Sequence, residues 1–294
     1  MGRDLYELSD AVRELFDEAD EALGFALTKL CFEGPIEELS QTAVTQPAVF
    51  VHSVAATRLL AAGGVQPACV AGHSLGEYSA LVAAGVLEFS EALSLVARRA
   101  QLMQEAGTRA PGKMAAVIGL DDAAVMELCE RAGEAVVPAN FNAPGQVVVS
   151  GEAAAVEALE GLAREAGAKR VIELQVSGAF HSPLMAPAAQ ELEDLLKSVA
   201  LTAPRVPVVT NVAAEAVGDA QALRQQLIQQ MTHPVRWTES VRHIAASGVS
   251  CAAEVGPGSV LKGLVRRIAR DLEVLPAGTA EDIPAAIERL GGHG

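Results

Sequence analysis

Ser74 sits in the stretch Ala71–Leu81, AGHSLGEYSAL, flanked by Gly72 and Gly76. A Gly-x-Ser-x-Gly run serves a nucleophilic serine when the chain leaves a buried strand, turns sharply and enters a helix. The glycines relieve crowding in the turn, and the free N–H groups at the helix start favour a developing negative charge. The motif alone is cheap in a chain with 26 glycines, so its flanks decide. A short apolar run, Ala68–Ala71, precedes it, and GEYSALVAAGVL comes after it with helical spacing. That context favours a nucleophile over a hydroxyl in a glycine-rich bend. The backbone N–H of Leu75, the next residue, is then a natural oxyanion donor.

A serine nucleophile needs a base, and the chain offers six histidines. His293 lies in the Gly-Gly-His-Gly tail, and His52 and His243 fall inside amphipathic helical patterns, where a packed or solvated ring is the plain expectation. His73 adjoins Ser74 and points away from it in an elbow. His233 precedes a proline and reads as a helix boundary. His181, in GAFHSPLM, lies between a strand and a helix at a domain junction, where clefts form, and it ranks first.

Arg98 and Arg99 interrupt the apolar pattern SLVARRAQLM. Adjacent helical residues lie about 100° apart, so one arginine can face inward. An inward guanidinium needs an anion. Arg98 reads as solvated, and Arg99 as the residue able to hold a substrate carboxylate in a bidentate grip. Gly256-Pro257-Gly258 reads as a structural turn: Leu261 stands where a dinucleotide fingerprint needs its third glycine, and no Gly-Lys-Ser/Thr ends a P-loop.

Several elements must position these residues. Residues 4–30 repeat acidic and apolar positions at helical spacing. Thr45-Gln46-Pro47 opens a long apolar helix, with Pro47 in its first turn, and Gly63-Gly64 stops it. The elbow and a helix over SEALSLVARRAQLMQEA come next. Between Pro111 and Ser182 the rhythm becomes strand (KMAAVIGL), helix (opened by Asp121 or Asp122), two strands (EAVVPANFN and GQVVVSGE), helix, and strand (KRVIELQV). That order is ferredoxin-like. The rest alternates helices with strands at Val206–Thr210 and CAAEVG, as a parallel α/β sheet requires. The expected fold is α/β: a large α/β-hydrolase-like unit with a parallel sheet over 1–110 and 183–294, and a ferredoxin-like insert over 111–182.

Half of the 294 residues are apolar and only 3% aromatic, so Ala, Val and Leu must build the core. A net charge of −15 argues against a nucleic-acid partner. Two basic stretches stand out, Lys169-Arg170 and the helically spaced Lys262, Arg266, Arg267 and Arg270; a solvated face is their plain reading. Cys31, Cys69, Cys129 and Cys251 form no CxxC pair and read as buried hydrophobes in a reducing compartment. No apolar run reaches membrane-spanning length, and the acidic start MGRDLYELSDAV is no signal peptide. A soluble cytoplasmic protein is expected, without metal ligands, nucleic acid or membrane.

The segments TQPA, GHSLGEYSAL, RAQLM, NFNAPGQVVVSG, GAFHSPLM, HPVRW and EVGPG occur in the order that resembles malonyl-CoA:acyl carrier protein transacylases, from the first residues to about Leu275. The chain is also similar to the acyltransferase domains of polyketide synthases. The resemblance implies that Ser74 carries the acyl group and His181 is its base, oriented by the backbone carbonyl of Gln230 rather than by a carboxylate. It implies that Arg99 clamps the malonyl carboxylate, with Met103 and Asn142 near the same pocket. Phe180 matches the pattern for malonyl over methylmalonyl use, filling the space of an α-methyl branch. The implied reaction is ping-pong transfer from malonyl-CoA, through malonyl-serine, to the phosphopantetheine thiol of acyl carrier protein, for fatty-acid or polyketide synthesis. No bound cofactor is implied.

The family pattern opens with a hydrophobic strand and a Pro-Gly-Gln-Gly-Ser-Gln loop, whose glutamine N–H is the second oxyanion donor. MGRDLYEL corresponds to the segment just after that loop. A late start, a shortened chain or an impaired form is expected, with a weakened sheet and oxyanion site. Two other readings share part of the pattern: an α/β-hydrolase-type esterase, which would carry a carboxylate before a late histidine, and a non-catalytic module that binds the carrier protein.

Overall fold

Two long helices, Thr42–Ala62 and Phe89–Arg109, lie against each other in a computed structural model that describes residues 1–291. The first has no polar stripe, and Phe50, Val51, Val54, Ala55 and His52 are all buried; it is not the amphipathic helix expected around His52. Phe50 stacks on Phe89 with ring centroids 5.7 Å apart. The helix also starts earlier than expected, so Pro47 lies inside it rather than in its first turn. Side chains anchor the added turn: Gln104 Oε1 accepts the Ala43 N–H at 3.0 Å, and Thr45 Oγ1 donates to the Leu39 carbonyl. Those contacts offset the backbone hydrogen bond that Pro47 cannot make.

The strands are β1 (Val70–Ala71), β2 (Gly112–Ile118), β3 (Val136–Ala143), β4 (Gln146–Glu152), β5 (Arg170–Glu173), β6 (Val208–Val209), β7 (Ala216–Val217), β8 (Cys251–Val255) and β9 (Glu273–Ala277). They form a mixed sheet β1-β6-β7, an antiparallel sheet β3-β4-β2-β5 and a parallel pair β8-β9. The broad parallel sheet expected for the larger unit is thus much reduced, and the strands expected at 68–71 and 206–210 pair over two residues each. Pro207 has no N–H to extend the ladder, and Gly72 turns the chain away one residue past Ala71. Strand β9 is not among the expected elements; its Pro276 hides it, being tolerated here on a two-stranded sheet with a free edge.

The antiparallel sheet is apolar on both faces because each face has its own partner. Ala115, Val117, Val147 and Val149 pack under helices Asp122–Ala132 and Ala153–Glu165, while Met114, Ala116 and Val148 meet Ala139 and Phe180 on the other side. Asp121 caps the first of those helices, accepting the Ala124 N–H at 2.8 Å. Val235 of the HPVRW segment ties this sheet to the rest: its N–H donates to the Ala139 carbonyl at 2.8 Å, and its carbonyl accepts the Phe141 N–H at 2.9 Å.

At EVGPG, the Glu254 carboxylate accepts the N–H groups of Leu261 (2.8 Å) and Lys262 (2.7 Å). The start of helix Val260–Ile268 is thus occupied by the chain's own anion, in keeping with a structural turn. Cys31 and Cys129 are buried, but Cys69 and Cys251 are half-exposed, contrary to the expectation for all four; each is a free thiol. Burial pushes the Cys129 thiol up to about 12. No helix among the described residues is long and apolar enough to cross a membrane. His293 lies outside the described residues.

Helix Phe89–Arg109 passes against the backbone that leads into the His181 loop. A Cβ on Gly107 would stand 1.9 Å from the Ser177 carbonyl oxygen and 3.0 Å from Gly178 Cα. Gly107→Ala is therefore expected to destabilise the protein by about 1–3 kcal/mol despite alanine's helix preference. A urea titration with an unchanged midpoint would contradict this close approach.

Candidate active site

The chain enters Ser74 from β1 and leaves it into helix Gly76–Ala83. A Cβ on Gly72 would lie 1.9 Å from the Gly76 carbonyl carbon, so the turn closes only around glycine. Ser74 takes φ 50°, a left-handed conformation that costs a non-glycine residue about 1–2 kcal/mol. His181, across the site, has φ 57°. Two strained residues face each other.

Ser74 Oγ lies 2.8 Å from His181 Nε2. His181 Nδ1 lies 2.9 Å from the Gln230 carbonyl oxygen and 3.2 Å from that of His233. Carbonyl oxygens only accept, so Nδ1 must carry the proton and Nε2 is left with its lone pair toward the serine. Burial, with the Arg99 charge second, lowers the His181 pKa to about 3. The ring is neutral at pH 7.

Arg99 is fully buried, whereas Arg98 is partly exposed and pairs with Glu191 at 2.8 Å. Arg99 Nη1 donates to Gln46 Oε1 at 2.5 Å, and Nη2 to Ser74 Oγ at 3.0 Å and Gln230 Oε1 at 3.1 Å. Its guanidinium stands over the Tyr78 ring at 5.6 Å. Among the described residues no carboxylate lies within 4 Å of it.

The other residues singled out in the sequence fall around this centre. Met103 is buried, with Sδ 3.3 Å from Gln46 Nε2, and is linked to Arg99 through that Gln46 side chain. Phe180 is half-buried and packs on both the main core and the small sheet. Asn142 bonds His73 Nε2 through Oδ1 at 2.8 Å; its partner is thus the histidine beside the elbow, not Arg99. The Leu75 N–H has no backbone acceptor among the described residues.

Four groups at the site escape a reading of the sequence: the side chains of Gln46, Glu77, Asn211 and Gln230. Gln46 and Glu77 are polar residues on apolar helix faces, a signal that could have found them. Asn211 lies in a turn and gives none. Glu77 is buried, and desolvation raises its carboxyl to about 7 against the pull of its hydrogen bonds and Arg99.

This arrangement can activate a hydroxyl, hold an anionic group beside it and place a backbone N–H nearby, which is the equipment of acyl transfer. The acyl transferase domain family matches residues 1–288. The malonyl CoA-acyl carrier protein transacylase of Bacillus subtilis is 44% identical over 293 residues, covering 99% of this chain and 92% of that protein. The transacylase structure from Coxiella burnetii superposes with a TM-score of 0.95 at 42% identity, covering 99% of this chain and 93% of that one. A structure of a type II PKS acyl-carrier protein in complex with its malonyl-transacylase gives 0.95 at 43% identity, covering 98% and 94%. The chain belongs to the acyl transferase domain family and, within it, to the malonyl CoA-acyl carrier protein transacylases.

A neutral buried His181 has a measurable consequence. An ordinary imidazole would lose about 30-fold of its neutral form between pH 7.5 and pH 5. Ser74 should instead react with a neutral phosphonofluoridate at pH 5 at close to its pH 7.5 rate. A fall with a midpoint near 6.5 would show that His181 titrates normally.

Proposed function

We propose that this chain transfers the malonyl group from malonyl-CoA to the phosphopantetheine thiol of acyl carrier protein, for fatty-acid or polyketide synthesis. The observation that carries the reading is a buried Arg99 guanidinium 3.0 Å from Ser74 Oγ, bonded to amides and a hydroxyl but, among the described residues, to no carboxylate. A malonyl carboxylate supplies the counter-charge and sets its thioester carbonyl beside the serine.

In the first half-reaction Ser74 Oγ attacks the thioester carbonyl and its proton passes to His181 Nε2. The Leu75 N–H faces the oxyanion. Collapse breaks the C–S bond, and the CoA thiolate leaves with the proton from His181. In the second, the carrier thiol gives its proton to His181 and attacks the malonyl-serine ester; collapse breaks the C–O bond, and Ser74 Oγ leaves with that proton from His181. The Gln230 carbonyl keeps the ring oriented throughout. Met103 and Phe180 wall the acyl site, Phe180 against an α-methyl branch, and Asn142 acts on it from the His73 side. The His181 orientation by carbonyls speaks against an esterase with a late acidic partner.

Residues 111–182 are best read as a ferredoxin-like insert, on the strand order β3-β4-β2-β5, within an α/β-hydrolase-like unit of 1–110 and 183–294. The two basic stretches support a docking surface for an acidic carrier protein. Ile118 pairs with both Gln146 and Arg170, while Arg267 donates to the Pro144 carbonyl at 2.8 Å and to Gln146. Lys169, Arg170 and Arg267 are thereby gathered at one end of the small sheet, with Lys262 and Arg266 on the same helix as Arg267 and Arg270 just beyond it. All six are exposed.

Intact-protein mass spectrometry after mixing with malonyl-CoA tests the reaction: an adduct on the wild type and none on Ser74→Ala is expected. Arg99→Ala should lower malonyl transfer at least about 100-fold more than acetyl transfer, the scale of a broken buried charge contact. Equal loss for both donors would refute the clamp. Combined Lys169→Glu and Arg266→Glu should raise the carrier-protein KM about tenfold or more with little change in serine acylation; an unchanged KM would remove this surface from consideration.

A further inference from the structure

β1 and β6 run parallel, with Val70 opposite Val208 and Ala71 opposite Val209. Extending that register by two residues sets His73 opposite Asn211. In a parallel ladder a residue bonds, through its own backbone N–H and C=O, to the two residues that flank its partner. Asn211 makes this pattern with its side chain. Its Nδ2 donates to the Gly72 carbonyl at 2.6 Å, and its Oδ1 accepts the Ser74 N–H at 2.6 Å. The ladder that ends after two residues is continued by one amide.

The substitution matters because a backbone partner would keep Ser74 extended. A side chain reaches across while its own main chain turns off: the Asn211 carbonyl accepts the Arg236 N–H at 3.0 Å, and its N–H donates to Glu77 Oε2 at 2.8 Å. Glu77 begins the next helical turn after Ser74, and its N–H donates to the Ser74 carbonyl at 3.1 Å. Ser74, Glu77 and Asn211 therefore close a ring of hydrogen bonds, and the Asn211 Nδ2 ties Gly72 to it. Both Glu77 and Asn211 are 1% exposed, so water offers neither a replacement partner. We propose that Asn211 is a positioning residue that stands in for a strand partner across the elbow, with Glu77 fixing its main chain, and that this ring holds Ser74 Oγ within reach of both His181 and Arg99.

The inference rests on the acyl-transfer reading only for its physiological substrate, so two probes separate them. A phosphonofluoridate forms an Oγ–P bond at Ser74, expels fluoride and leaves the serine proton with His181; malonyl-CoA reports the natural acylation. Rate constant and reactive fraction are measured for each. Asn211→Ala should react with both probes about 100-fold more slowly at full amplitude, the scale of a misplaced reacting atom. Its KM for malonyl-CoA should stay within about threefold, because the Arg99 contacts with Gln46 and Gln230 are untouched. Glu77→Ala should slow the same step, while Glu77→Gln, which keeps an acceptor for the Asn211 N–H, should restore most of the rate.

Wild-type rate constants in Asn211→Ala, or a smaller reactive fraction reacting at the wild-type rate, would overturn the assignment, the latter by showing a purely structural role. If Asn211→Ala does not fold, the Glu77 pair decides: equal rates for Ala and Gln defeat the proposal, and rescue by Gln supports it. Wild-type protein that reacts with the phosphonofluoridate but not with malonyl-CoA would defeat the acyl-transfer reading and leave this test standing.

Discussion

A buried guanidinium with no carboxylate in contact among the described residues is the constraint around which this site is arranged. Arg99 cannot be left bare, because an unpaired charge away from water is costly. The fold answers with neutral oxygens from three segments: Gln46 from the Thr42–Ala62 helix, Gln230 from the helix Ala220–Gln230, and Ser74 from the elbow. Each has a second attachment. Gln46 also touches Met103, and Gln230 Nε2 donates to the Ser74 carbonyl at 3.0 Å. Satisfying one cation thus fixes the relative placement of helices that are far apart in sequence. It also leaves the positive charge only partly compensated, which is the condition for attracting an anion.

The same charge explains why the base is oriented by carbonyls. A carboxylate behind His181 would stabilise the imidazolium, but it would stand close enough to Arg99 to compete for its charge. The Gln230 and His233 carbonyls fix the tautomer without adding a formal charge. Burial and the guanidinium together then hold the ring neutral. Gln230 serves both groups, its backbone facing His181 and its side chain facing Arg99. One residue couples base and clamp, so neither can shift without the other.

How much of this is legible in the sequence depends on the range of the interaction. Ser74, His181 and Arg99 announce themselves locally, through a strand-turn-helix pattern, a junction loop and a charge inside an apolar helix. The small sheet is equally legible, since β2, β3 and β4 run seven or eight residues and the helix Asp122–Ala132 opens at a capping aspartate. The reduced parallel sheet is not. Its two-residue strands carry too little periodicity, and what ends them is a proline in one segment and an elbow in another. Asn211 is invisible for a related reason, because an asparagine in a turn takes its meaning from a backbone 137 residues away. Pro47 shows the converse, where tertiary contacts of Ala43 and Thr45 override a local rule.

Two shifted groups of the site, His181 and Glu77, bear on stability in opposite directions. His181 has a folded pKa of about 3 against 6.5 for an imidazole in water, so below pH 6.5 the unfolded chain takes a proton that the folded one refuses. Stability from this group falls as the pH drops through that window. Glu77 has a folded value of about 7 against 4.5, so above pH 4.5 the unfolded chain releases a proton that the folded one retains. Its contribution is full below 4.5 and is lost as the pH rises to 7. Near neutrality the site therefore bears the cost of Glu77 but not that of His181. A carboxyl that weakens the fold at neutral pH needs a compensating role, and its contact with the Asn211 N–H beside the elbow is where the geometry places one.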